Sequence, residues 1–89
     1  MQDMIARADN LEVHEVPDGY IIYQTARDRV HYLNKTAAVI FEFCDGKRDQ
    51  ADIVSRVATA FELPPRMHDE VKTCLNLLMR EGLLLSISK

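Results

Sequence analysis

Apolar and polar residues alternate along Leu11–Val16, with Leu11 and Val13 set against Glu12 and His14, and this period of two predicts a half-buried strand. Pro17-Asp18-Gly19 then turns the chain. Tyr20 to Thr25 is β-branched and aromatic with apolar residues on both faces, as expected of a strand with a partner on each side. Ala26-Arg27-Asp28 is a short polar connection, and Arg29 to Leu33 follows as a third strand with Val30 and Tyr32 on one face. The pattern predicts an antiparallel meander with its middle segment central. So small a sheet needs a helix on one face to be stable.

The period changes at Asn34. Residues 29 to 46 run a strand straight into a helix, and Asn34 is placed to cap that helix by accepting from backbone N–H groups two or three residues on. From Lys35 to Cys44, Ala37, Ile40, Phe41 and Cys44 stand at core spacing, while Val39 and Phe43 are apolar too, so burial on more than one side is expected. Asp45-Gly46 ends the helix, Gly46 accepting a left-handed backbone without a Cβ penalty. A second helix begins with Asp49 as cap and Asp52 in its first turn, and its apolar stripe is Ile53, Val54, Val57, Ala58 and Phe61. Leu63-Pro64-Pro65 breaks the pattern, with Pro65 suited to the first turn of a third helix that runs to about Glu81 and stops at Gly82. Leu83 to Ser88 is apolar and then alternates, predicting a short strand or an extended packed segment. Residues 1–10 carry mixed charge and no period and read as a frayed, flexible tail, leaving residues 11–89 as a single domain. The expected class is α+β, a three-stranded antiparallel sheet followed by three helices.

The third helix carries more apolar surface than a core requires. Met67, Val71, Cys74, Leu75, Leu78 and Met79 line one stripe and Leu77 widens it, so that the arc spans roughly 200° where about 100° suffices. Either the C-terminal tail or the sheet covers the surplus, or Leu77, Cys74 and Met67 line a groove for an apolar partner. A dimer interface would use the same residues.

Composition narrows the function. The 89 residues hold one small core, burying roughly 60 to 65% of the unfolded surface. A formal charge of -3 weighs against nucleic acid, and the third helix mixes Arg66, Lys72 and Arg80 with Asp69, Glu70 and Glu81. Cys44 and Cys74, far apart and inside helix patterns, read as small buried residues in a reducing cytosol. No apolar run approaches the roughly 18 residues of a membrane span, and Met1 to Asn10 lacks the centre of a signal peptide, so a cytoplasmic location is expected. His14, His31 and His68 have no Cys or carboxylate at metal-ligand spacing, and no phosphate loop or nucleophile motif occurs. Neither a metal nor a cofactor is expected. Acidic pairs such as Asp69-Glu70 stabilise a helix start, which leaves no reactive constellation and points to a binding module, not an enzyme.

The three N-terminal strands, the stretch Val30-His31-Tyr32-Leu33-Asn34-Lys35-Thr36-Ala37-Ala38, the helix end Cys44-Asp45-Gly46-Lys47-Arg48 and the closing Arg80-Glu81-Gly82-Leu83-Leu84 together resemble the PqqD family, from about Leu11 to Leu84. The Leu33-Asn34-Lys35-Thr36-Ala37 junction looks more like that of PqqD-like proteins from other peptide clusters than that of members serving pyrroloquinoline quinone synthesis. The resemblance implies a winged helix-turn-helix-like domain and a peptide chaperone, the recognition element for the leader of a ribosomally made precursor peptide. Its implied partners are that precursor and a modifying enzyme, typically a radical SAM protein, with the chaperone itself a monomer or homodimer. The family's mode, a leader held as an extra strand, maps here onto Arg29, Val30, His31, Tyr32 and Leu33, and onto Met67, Val71, Cys74, Leu77 and Leu78 of the last helix. Val71 and Leu78 also suit the core, and Arg29 and Lys72 suit acidic leader residues. The same topology would serve a winged-helix DNA-binding regulator, whose inserted helix should be basic.

Overall fold

Six strands and three helices occupy residues 3–87, the part of the chain that this computed structural model describes. In chain order they are β1 (Met4–Arg7), β2 (Leu11–Val16), β3 (Gly19–Gln24), β4 (Arg29–Asn34), α1 (Lys35–Phe43), β5 (Asp45–Asp49), α2 (Gln50–Ala60), α3 (His68–Arg80) and β6 (Leu84–Ile87). Two residues each finish one strand and cap the next helix. Asn34 accepts from the Ala37 N–H at 2.9 Å and Asp49 from the Asp52 N–H at 2.9 Å, so both helices leave their strands without a loop.

The expected meander is present. β2, β3 and β4 pair antiparallel in that order, with β3 central and Tyr20 opposite Leu33, Ile22 opposite His31 and Gln24 opposite Arg29. Those pairs lie on the face that packs on α1, while Ile21, Tyr23, Val30 and Tyr32 point to solvent. Gly19 lies so close to β4 that a Cβ there would collide with the Leu33 carbonyl. No other residue type fits at that turn.

A second sheet corrects the expected arrangement of one sheet followed by three helices. Its order is β5-β1-β6, both pairings antiparallel, so the segment expected to fray contributes the central strand. Of the expected tail, Met1 and Gln2 lie outside the described residues, as does Ser88 at the other end. Ile5 is 4% exposed and belongs to the core with Leu83 and Leu84. The segment reads as frayed because four residues are too few to show a period, and its partners lie 39 to 83 positions away. Asp45-Gly46, expected only to end the first helix, opens the polar edge strand β5, which runs on to Asp49, the expected cap of the second helix. Gly46 does take a left-handed φ of +83°, but inside β5, where the register against β1 shifts. α1 ends earlier, the Cys44 N–H donating to the Phe41 carbonyl. After α2, Pro65–Met67 form a 3-10 turn, and α3 proper begins at His68.

Phe41, Ile53, Val57 and Leu75, from all three helices, form one buried core with Ile5, Ile22, Leu33 and Leu84 of the strands. Cys44 is fully buried, its thiol donates to the Ile40 carbonyl at 3.1 Å, and burial pushes its pKa from 9.0 up to about 12. A thiol raised in the folded state contributes stability below about 9 that is lost as pH rises toward 12. In urea titrations, the stability difference between the wild type and Cys44→Ala should therefore shrink above pH 9. A difference independent of pH would contradict the burial. Ile5→Ala should cost about 2–5 kcal/mol, where a frayed tail would cost nothing.

Candidate functional site

β4 has a hydrogen-bonded neighbour on one side only. It pairs with β3, and among the described residues no strand covers its other edge, so alternate residues direct N–H and C=O groups away from the sheet. Along that open edge runs α3. At one end the Arg29 guanidinium meets the Glu81 carboxylate at 3.3 Å. At the other, Asn34 shares a cavity of about 310 Å³ with Met67, Glu70, Val71 and Cys74. Strand and helix therefore run in opposite directions, with a cleft between them. Their lengths match, since Arg29 to Asn34 spans about 17 Å as a strand and Glu70 to Glu81 about 16 Å as a helix.

Helical spacing defines the wall facing the strand. Glu70, Cys74, Leu77 and Glu81 fall within an arc of about 60°, and three of them already touch the cavity or Arg29, so Leu77 lies on the same side. Lys72 does not. With Asn76 and Met79 it lines a different cavity, beside Asp3, Ile5 and Ser86, which takes it away from the cleft and leaves Arg29 as the placed cation of the two. Cys74 is half buried, and burial raises its pKa, so at neutral pH this wall carries an uncharged thiol.

The ten residues expected at the site divide three ways. Val30, Tyr32 and Leu77 are 63%, 59% and 50% exposed, the three highest values among the large apolar residues described, and all three border the open edge. Met67, Val71 and Cys74 line the cavity, with Val71 also buried in the core, and Arg29 and His31 sit on the strand face toward the helices. Leu33 and Leu78 are core residues, so Leu33 offers the cleft only its backbone. Sequence reasoning missed the α1 contribution: Thr36, Ala37 and Ile40 form the cavity floor, with Leu63 from the α2–α3 connection. The excess of apolar positions on α1 was the available signal.

One end of the cleft is built from polar groups. Gln24, the buried polar side chain among the described residues, donates from Nε2 to the Glu81 carbonyl at 3.1 Å. Its Oε1 faces His31 Nε2 at 2.9 Å and, as an amide oxygen, can only accept from the ring. Arg27 also reaches the Glu81 carbonyl, at 3.4 Å. The cleft is therefore apolar near Asn34 and polar with guanidinium groups near Arg29. Among the described residues no three His, Cys, Asp or Glu side chains gather as a metal site would need, and no helix is long and apolar enough to cross a membrane.

A family model described as "Coenzyme PQQ synthesis protein D (PqqD)" matches residues 19–84. No curated protein matches the chain. Among solved structures, that of TbiB1 in complex with the TbiA(beta) leader peptide is similar, with a TM-score of 0.76 over 94% of this chain and 99% of that one. At 13% identity the likeness is one of fold.

Leu77→Glu tests the exposure assigned to the cleft wall. The charge would stay wet, so thermal unfolding should remain cooperative with stability within about 0.5 kcal/mol of wild type. Leu78→Glu, one residue on, should unfold the protein. Equal damage from both would place Leu77 in the core.

Proposed function

The chain belongs to the PqqD family, and on that premise we propose that it is a non-catalytic peptide chaperone. It binds the leader of a ribosomally synthesised precursor peptide as an extra strand on β4 and presents it to a modifying enzyme, a radical SAM protein being the expected class. The observation that carries this reading is the coincidence of an unpaired strand edge with the three most exposed large apolar side chains, Val30, Tyr32 and Leu77. Monomeric domains normally protect such an edge with charge, proline or a covering segment, because it recruits other chains. Backbone hydrogen bonds along β4 supply affinity without regard to sequence, and side-chain pockets between β4 and α3 select which sequence binds. The fold's likeness to TbiB1, solved with a leader peptide, supports the same ligand class.

In this reading Arg29, Val30, His31, Tyr32 and Leu33 provide the receiving strand. Met67, Cys74 and Leu77 meet the leader's inward side chains, and Val71 closes the pocket behind them. Arg29 is available to an acidic leader residue, since its ion pair with Glu81 is largely solvent-exposed and weak. In this reading the protein contributes position, holding the leader for the enzyme that modifies it.

A backbone-amide NMR titration with the leader encoded beside the gene tests this, with a short DNA duplex as control. Shifts should cluster on Arg29–Leu33 and on Met67 to Glu81, and Leu77→Glu should abolish them while remaining folded. Shifts with DNA alone would support the winged-helix regulator instead. No shifts with either would refute the chaperone reading.

A further inference from the structure

The two edges of the meander are treated oppositely. On the solvent face, edge strand β2 carries Glu12 and His14, whereas edge strand β4 carries Val30 and Tyr32. Charge on β2 discourages another strand from docking there; the apolar pair on β4 does not. In the register of the sheet, Val30 stands beside Tyr23 and Tyr32 beside Ile21, so these four side chains form a continuous apolar patch that reaches the open edge. The phenols are tied down laterally, Tyr32 to the Asp18 carbonyl at 3.3 Å and Tyr23 to Asp28 at 2.6 Å, which holds both rings across the sheet.

Strand addition constrains what lies against this patch. Side chains of a strand alternate between faces, so the residues between those entering the cleft must emerge beside Val30 and Tyr32. We propose that the solvent face of β4 is a second specificity surface of the same site. Val30 and Tyr32 select β-branched or aromatic side chains at the alternate, outward-facing positions of the bound leader. This inference rests on the strand-addition reading and extends it to the ligand: the leader segment is apolar at consecutive positions, not only at every second one. Cross-strand pairs of this kind each change affinity by a modest factor, about 2- to 30-fold for two together.

The test is selection from a displayed library of random 12-residue peptides against the wild-type protein and a Val30→Thr/Tyr32→Thr variant. Threonine keeps the strand preference, both sites are exposed, and circular dichroism checks that the variant is folded. Wild-type selections should show apolar residues at i, i+2 and i+4, with β-branched or aromatic residues at i+1 and i+3. The variant should keep the first preference and lose the second, binding the wild-type sequences roughly 2- to 30-fold more weakly. If wild-type selections are unrestricted at i+1 and i+3, or if the variant keeps the same preference there, the second surface is overturned while strand addition stands. If the wild type enriches no peptide, strand addition itself fails, and the inference with it.

Discussion

The placement of α3 against the meander rests on one hydrogen bond, donated by the buried Gln24 side chain to the carbonyl of Glu81 at 3.1 Å. Gln24 is 5% exposed, so losing that acceptor would leave an amide unsatisfied in the interior, at a cost of about 1–3 kcal/mol. The bond ties the last residue of the central strand of one sheet to the residue that ends α3, just before the chain turns into the second sheet. Gly82 makes the turn with φ of +79°, and a Cβ there would come within 3.0 Å of the same amide. α3 is thereby fixed at one end against the meander, and α1 spaces it from the strand at the other.

That spacing creates the site. β4 is held by β3 and turns at Asn34 directly into α1, whose Ala37 and Ile40 line the cavity beside α3. A helix wall and a strand edge of about equal length therefore lie side by side, with a cavity of about 310 Å³ between Asn34 and the start of α3. In the proposed binding mode the open edge would supply general affinity and the apolar pocket near Cys74 selection, while the guanidinium groups near Glu81 give the cleft a polar end. An unprotected edge is an aggregation hazard, and here it ends beside an apolar cavity.

The elements that define the cleft were legible in the sequence because their signals are local. Alternation over Leu11–Val16, a β-branched run at Tyr20, a cap at Asn34 and surplus apolar arc around Leu77 each need only a few neighbouring residues to be seen. The second sheet was not legible. Met4-Ile5-Ala6-Arg7 has no pattern of its own and becomes a strand because β5 and β6, distant in sequence, leave a gap that it fills. Asp45–Asp49 is polar because it is an edge strand, and an exposed edge looks like a loop. Within the site, the assignment of Leu33 and Leu78 to the core and of Lys72 to another face required knowing which way each element turns.

Amide hydrogen exchange on β4 tests whether its open edge pairs with a leader strand. In the free protein, alternate amides between Arg29 and Asn34 should exchange fast, because they point to solvent, while the others are protected by β3. Adding the precursor's leader should slow the fast set and leave the β6 edge unchanged. Protection of every β4 amide before the leader is added, or protection that appears on β6 instead, would contradict that pairing.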